Sequence, residues 1–181
     1  MAYDATKVST GKPAKAGAIY RADLGATLPT NTSDALTGFT HLGYVSDAGV
    51  TNSNSPQSDT TKAWGGDIVL NLQTEKDDTW SFTLIEAMNE DVLKAVYGST
   101  NVDTSGDETV ISANSDDQAD ASWVIDMILK NGKLKRIVLP NAKITALGDI
   151  VYSDSDAIGY EITLSCVPDA NGNTHYEYIT K

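Results

Sequence analysis

Cysteine occurs once in the 181 residues, at Cys166, so neither an intramolecular disulfide framework nor a cysteine-built metal cluster can hold this chain together. Histidine is almost as scarce. His41 and His175 stand far apart in strand-like contexts, without the close spacing or thiol partners of a metal site. Long apolar runs are missing too: the stretch 121–125 is broken at Ser122, far short of the ~18 residues of a membrane span. Residues 1–9 hold no apolar signal core, so the expectation is synthesis in the cytoplasm without export by that route. Neither a phosphate-cradling glycine loop nor a Gly-x-Ser-x-Gly elbow is found. Bases are few, 13 against 25 acids for a net charge of −12, which argues against tight binding to nucleic acid or anionic membrane.

These gaps leave little for catalysis. Cys166 alternates with apolar neighbours and reads as a buried structural thiol. Asp154 and Asp156 lack the glycine and distal glutamate of a calcium loop, so they read as a surface turn. Asp116, Asp117 and Asp120 read as a solvated acidic loop. The expectation is a protein that is not an enzyme and needs no cofactor or metal.

What is present is a period of two. One domain suits the length, and a chain of this size buries about 70% of its unfolded surface. Ile68, Leu70 and Leu72 alternate with Val69, Asn71 and Gln73, and Trp80, Phe82 and Leu84 alternate after Glu75-Lys-Asp-Asp78. A turn centred on Asp77 would set Leu72 opposite Phe82 and Leu70 opposite Leu84, giving a hairpin with one apolar face. Its other face would carry Asn71, Gln73, Ser81 and Thr83. One helix is predicted, N-capped by Asn89, with Glu90 and Asp91 in its first turn and Gly98 closing it. Val92, Leu93, Val96 and Tyr97 form its apolar stripe.

Asn131-Gly132 marks another hairpin, between residues 121–130 and 133–139. A two-residue register pairs Leu129 with Leu134, Ile125 with Val138, and Met127 with Arg136. Further strands are expected over 16–22, 144–152, 158–166 and 174–180, the last two joined through Asn171-Gly172. The class is mainly β, with eight to ten strands in a β-sandwich or open barrel and one flanking α-helix. Residues 1–15 read as an extended N-terminal arm. Residues 45–63 read as a long polar inter-strand loop, too long for a plain connection and too poor in apolar anchors to fold on itself.

Charge is unevenly placed. Residues 1–21 carry four bases and one acid, residues 95–129 seven acids and no base, and residues 130–143 five bases and no acid. This pattern reads either as scatter on a solvated surface or as patches that meet on neighbouring copies.

Several stretches, in order, resemble the major tail tube proteins of long-tailed bacteriophages: Gly17-Ala-Ile-Tyr-Arg-Ala22, Leu28-Pro29-Thr30, Leu42-Gly-Tyr-Val-Ser-Asp-Ala-Gly-Val50 and Ala63-Trp-Gly-Gly66. Phe82-Thr-Leu-Ile-Glu86, Val96-Tyr97-Gly98, Ile137-Val-Leu-Pro140 and Ile158-Gly-Tyr-Glu-Ile-Thr-Leu164 continue the series. They are spread in this order from residue 17 to residue 164 of the chain. The resemblance implies a virion structural protein whose six-membered rings stack into a hollow tube through which the genome is ejected. Its implied partners are further copies of itself, tape-measure and tail terminator or tip proteins, and DNA in passage, with no membrane. The inner tubes of contractile tails and type VI secretion are near neighbours of the family.

On that reading, candidate contacts between copies are Lys15, Arg21, Asn52, Ser55, Pro56, Trp64, Lys133, Lys135 and Arg136. Asn71, Gln73, Ser81 and Thr83 are candidates for the lumen wall, or equally for a plain solvent face. A competing class is a β-sandwich binding module, for capsid decoration or adhesion, with Trp64 stacking a sugar.

Overall fold

A computed structural model describes residues 3–14 and 18–181. In chain order the strands are β1 (Gly11–Pro13), β2 (Ile19–Asp23), β3 (Thr40–His41), β4 (Val45–Lys62), β5 (Ile68–Leu84), β6 (Val102–Asp103), β7 (Val110–Ile111), β8 (Ala121–Leu129), β9 (Leu134–Leu147), β10 (Tyr160–Cys166) and β11 (Tyr176–Ile179). The only α-helix among the described residues, α1 (Glu90–Tyr97), lies between β5 and β6. The class is mainly β with one helix, as expected. Nine strands form one antiparallel sheet in the order β3-β2-β8-β9-β10-β5-β4, with β1 added to β8 and β11 to β9. The outermost strands β3 and β4 do not pair with each other, so the sheet is open. β6 and β7 make a separate two-stranded ribbon.

The core lies on one face of this sheet. Over residues 78–84 of β5 buried and half-buried positions alternate strictly, with Trp80, Phe82 and Leu84 inward, as period-two patterning requires. They stand opposite Leu164, Ile162 and Tyr160 of β10, and Phe82 meets Trp123 of β8 edge-on with ring centroids 6.2 Å apart. Helix α1 closes the core with Val92, Leu93, Ala95 and Val96 buried. Its ends are formed as expected: the Asn89 side chain accepts from Asp91 N at 3.0 Å, and Gly98, at φ 92, donates its N–H to the Lys94 carbonyl. Burial of this stripe outweighs the helix's shortness, since eight residues are marginal in isolation.

Four expectations are overturned. Residues 45–63 are not a loop: nearly all of them form β4, an 18-residue strand that pairs with β5 from Val45↔Leu84 to Lys62↔Ile68. Nor does the chain turn at Asp77. It runs straight through that position as β5 and turns instead at residues 63–67, where the Ala63 N–H donates to the Asp67 carbonyl at 2.8 Å. Gly65 and Gly66 there adopt φ of 116° and 99°, a backbone region costly for residues with a Cβ. Leu70 and Leu72 therefore face Thr61 and Asp59 rather than Leu84 and Phe82.

The Asn131-Gly132 hairpin exists, with both residues at positive φ, but its connection is longer than two residues. Leu129 N donates to Lys133 O at 2.6 Å, and the ladder begins at Ile128↔Leu134. The register is thus one residue off the two-residue one, and such a slip exchanges the faces of a strand. Arg136 stands opposite Asp126, not Met127, and Val138 opposite Val124. The strands expected separately over 133–139 and 144–152 are one continuous strand, β9, which ends at Leu147. Of the N-terminal arm, Gly11–Pro13 is a strand tacked to the far end of β8, while residues 3–10 are exposed.

Candidate functional site

The β4–β5 hairpin leaves the body of the protein. Every residue from 51 to 77 is exposed, and eight paired residues on β4 beyond Asn54 span about 26 Å at 3.3 Å each. Its composition conflicts with that exposure. Ile68, Val69, Leu70 and Leu72 retain 62, 63, 47 and 54% of their accessible surface, and Trp64 at the tip is fully exposed. A cluster of large apolar side chains on a projecting ribbon marks an interaction surface. Two-stranded ribbons are only marginally stable by themselves, so the arm draws its stability from its root and from whatever covers it.

The root is fastened at Asp78, only 2% exposed. Its Oδ1 accepts from Asn52 Nδ2 at 2.8 Å. Its Oδ2 accepts from Thr174 Oγ1 at 2.5 Å and lies 2.5 Å from His175 Nδ1. Desolvation works to raise the Asp78 pKa, but the hydrogen bonds from Thr174, His175 and Asn52 prevail and hold it below the usual carboxylate range. The His175 ring stands edge-on to Trp80, centroids 5.4 Å apart. This constellation ties β4, β5 and the approach to β11 together where the arm departs. Burial first, with the Asp78 charge second, pushes the Cys166 thiol up to about 12, so it is not an activated thiolate. Among the described residues no three His, Cys, Asp or Glu side chains gather as a metal site, and no helix is long and apolar enough to cross a membrane.

The candidate residues from the sequence divide between the arm and elsewhere. Asn52, Ser55, Pro56 and Trp64 all lie on it: Asn52 near its root on Asp78, Ser55 and Pro56 opposite Asp77 and Lys76, and Trp64 at its tip. Arg21 is half-buried on β2 with Asp23 at 3.2 Å. Lys15 lies outside the described residues. At the β8–β9 tip Lys133 is exposed, while Lys135 pairs with Glu177 at 2.9 Å. Arg136, expected among the contacts between copies, is buried instead. It is 6% exposed; its Nε and Nη2 donate to the two Asp126 oxygens at 2.7 Å, and its Nη1 donates to the carbonyls of Asn31 and Asp34. The longer turn causes this by bringing Asp126 opposite Arg136, so the guanidinium is spent inside one chain.

Asn71, Gln73, Ser81 and Thr83 do not make one wall of a compact hairpin. They sit on a single strand in two pairs separated by a register shift at Gln57/Ser58. Asn71 and Gln73 are on the exposed arm, whereas Ser81 and Thr83 are half-buried in the body. Sequence reasoning missed Asp78, because its Glu75-Lys-Asp-Asp context reads as a turn. Its partners Thr174 and His175, nearly a hundred residues away, leave no local signal.

A search of curated proteins finds no match. Among solved structures, the anti-feeding prophage cap that terminates the AFP tube, determined by cryo-EM, aligns over 99% of this chain and 100% of its own at 9% identity, with a TM-score of 0.45. The family described as phage tail tube protein matches residues 1–181. The chain therefore belongs to the phage tail tube proteins, structural components of the virion tail and not enzymes.

Proposed function

We propose that this chain is the repeating subunit of the tube itself. Six copies close into a ring, and rings stack into a hollow conduit through which DNA leaves the virion. The observation that carries this reading is the β4–β5 arm, whose apolar residues find no cover in their own chain. A second copy supplies the cover. The open sheet supports the same reading, since β4 presents a long unpaired edge of the kind that proteins protect or pair. Ring closure and ring stacking need two different interfaces, and an edge and a projecting arm are two different surfaces. The acidity of the chain, −12 per copy, suits a conduit, because a repelling wall does not retain DNA. Tape-measure and terminator or tip proteins are the other partners of such a tube.

The test removes the arm and spares its root. Residues 55–77 are replaced by Asn-Gly, joining Asn54 to Asp78 and keeping the Asn52–Asp78 hydrogen bond. The expected product is a folded monomer by circular dichroism that forms no rings or tubes in negative-stain images. Normal tubes from this deletant would overturn the reading.

A further inference from the structure

The antiparallel pairing of β8 and β9 sorts the charge of the chain to two ends. At the start of β8 and the end of β9 lie the connections 98–120 and 148–159. The first holds six acids and the second three, with no base in either. All are exposed except the half-buried Asp120. Lys143, paired with Asp117 at 2.5 Å, offsets only one of them. At the opposite end of the same strands, about 30 Å away for nine residues of β8, the β8–β9 tip carries Lys130 and Lys133, both exposed. The fold adds two more bases from a distant part of the sequence. β1 pairs with the last residues of β8, which sets Lys12 opposite Ile128, and Lys130 N donates to Ser9 Oγ at 2.9 Å. Lys7 precedes this segment with its side chain 82% exposed and a long ion pair of 3.9 Å to Asp4.

We infer that the basic end built from Lys7, Lys12, Lys130 and Lys133 docks on the acidic end, residues 98–120 and 148–159, of a second copy. This gives the assembly a head-to-tail direction. The inference rests on the tube reading and adds which surfaces meet and in which sense. Its occupant is named by complementarity: an acidic chain that concentrates bases at one end carries its own best partner at the other. Head-to-tail contacts are also heterologous, the kind that extend into an open stack where the operation relating the copies does not close. Exposed charge pairs are individually weak, so the direction depends on several acting together and is screened by salt, with a Debye length near 3 Å at 1 M.

The experiment uses the full chain and its critical concentration for polymerisation, read by sedimentation and negative-stain images between about 50 mM and 1 M salt. The wild type should polymerise less readily as salt rises. The variant Lys130→Glu/Lys133→Glu should raise the critical concentration at low salt by about tenfold or more. Asp154→Lys/Asp156→Lys should do the same, and mixing the two variants should restore polymer in part, because the reversed surfaces again complement each other. Wild-type tubes that form equally at all salt concentrations, or reversal that leaves assembly unchanged, would overturn this inference while leaving the tube reading intact. Duplex DNA retained by the wild type and released by Lys130→Glu/Lys133→Glu, with assembly unaffected, would overturn it in favour of a nucleic-acid surface. A wild type that never polymerises would overturn both.

Discussion

Replacing Leu70 and Leu72 by serine should abolish assembly without weakening the fold. In the free subunit these side chains are 47 and 54% exposed, opposite Thr61 and Asp59 and outside the core. Burying a leucine fully is worth about 1.5–3 kcal/mol, so each half-exposed side chain has about 1 kcal/mol still to gain from a partner. A serine in its place forfeits that and, once covered, leaves a hydroxyl short of hydrogen bonds at about another 1 kcal/mol. The two sites together cost about 4 kcal/mol per contact, close to a thousandfold in affinity. Exposed substitutions of this kind usually change stability by no more than about 0.5 kcal/mol.

The assay pairs a thermal melt of the monomer, followed by circular dichroism, with sedimentation velocity over a concentration series. The expected outcome is an unchanged melt and a variant that stays monomeric where the wild type forms polymer. Two results would refute the reasoning. Assembly at the wild-type concentration would mean that the arm's apolar residues are not covered by a partner. A large drop in the melting temperature would mean that they are already covered in the single chain.

Three further predictions concern the body. Arg136→Met should destabilise the fold by about 3–5 kcal/mol, because it strands a largely buried Asp126 without its counter-charge; denaturant unfolding measures this, and the charge-reversed Lys133→Glu should unfold like the wild type. Asp78 has a folded pKa below its unfolded one, so its contribution is complete above the unfolded value, about pH 4, and fades as pH falls through the folded value. Asp78→Asn should lose about 2 kcal/mol near neutrality and flatten the acid side of the stability profile, read from melts between pH 2 and 7. Gly43→Ala should destabilise by about 2 kcal/mol or more in the same unfolding assay, since Gly43 has φ 70 and an added Cβ would stand 2.1 Å from the Glu86 carboxyl carbon.

The body was legible in the sequence because burial leaves a period. Trp80, Phe82 and Leu84, and Ile162 with Leu164, face the core in strict alternation, and the helix announces itself through Asn89, its stripe and Gly98. The arm was not legible because nothing in its own chain buries it. A strand without a core face has no reason to alternate, so the Ser, Thr, Asn and Asp of β4 look like a loop. What forms β4 is backbone pairing with β5, which side-chain patterning does not record. Trp64-Gly65-Gly66 held the one signal that could have placed the turn. It was outweighed by Glu75-Lys-Asp-Asp78, four polar residues that continue a strand because they project into solvent.

The same logic accounts for the β8–β9 tip. Counting from Asn131-Gly132 as a two-residue turn put Arg136 opposite Met127, on the apolar side of the hairpin. Such a charge among apolar neighbours reads either as an edge position where Arg136 snorkels or as a contact with a partner chain. The observed register places Arg136 opposite Asp126, where a bidentate pair and two main-chain carbonyls satisfy the guanidinium. The presence of one acid and one base at near-matching positions on two paired strands already favours the register that joins them, since an unpaired charge in that place costs more than a longer turn. The correction separates the cations of this tip by role. Arg136 holds residues 31–34 to the sheet and belongs to the fold. Lys130 and Lys133 are exposed and form no ion pair among the described residues, and the proposed docking assigns them to another copy.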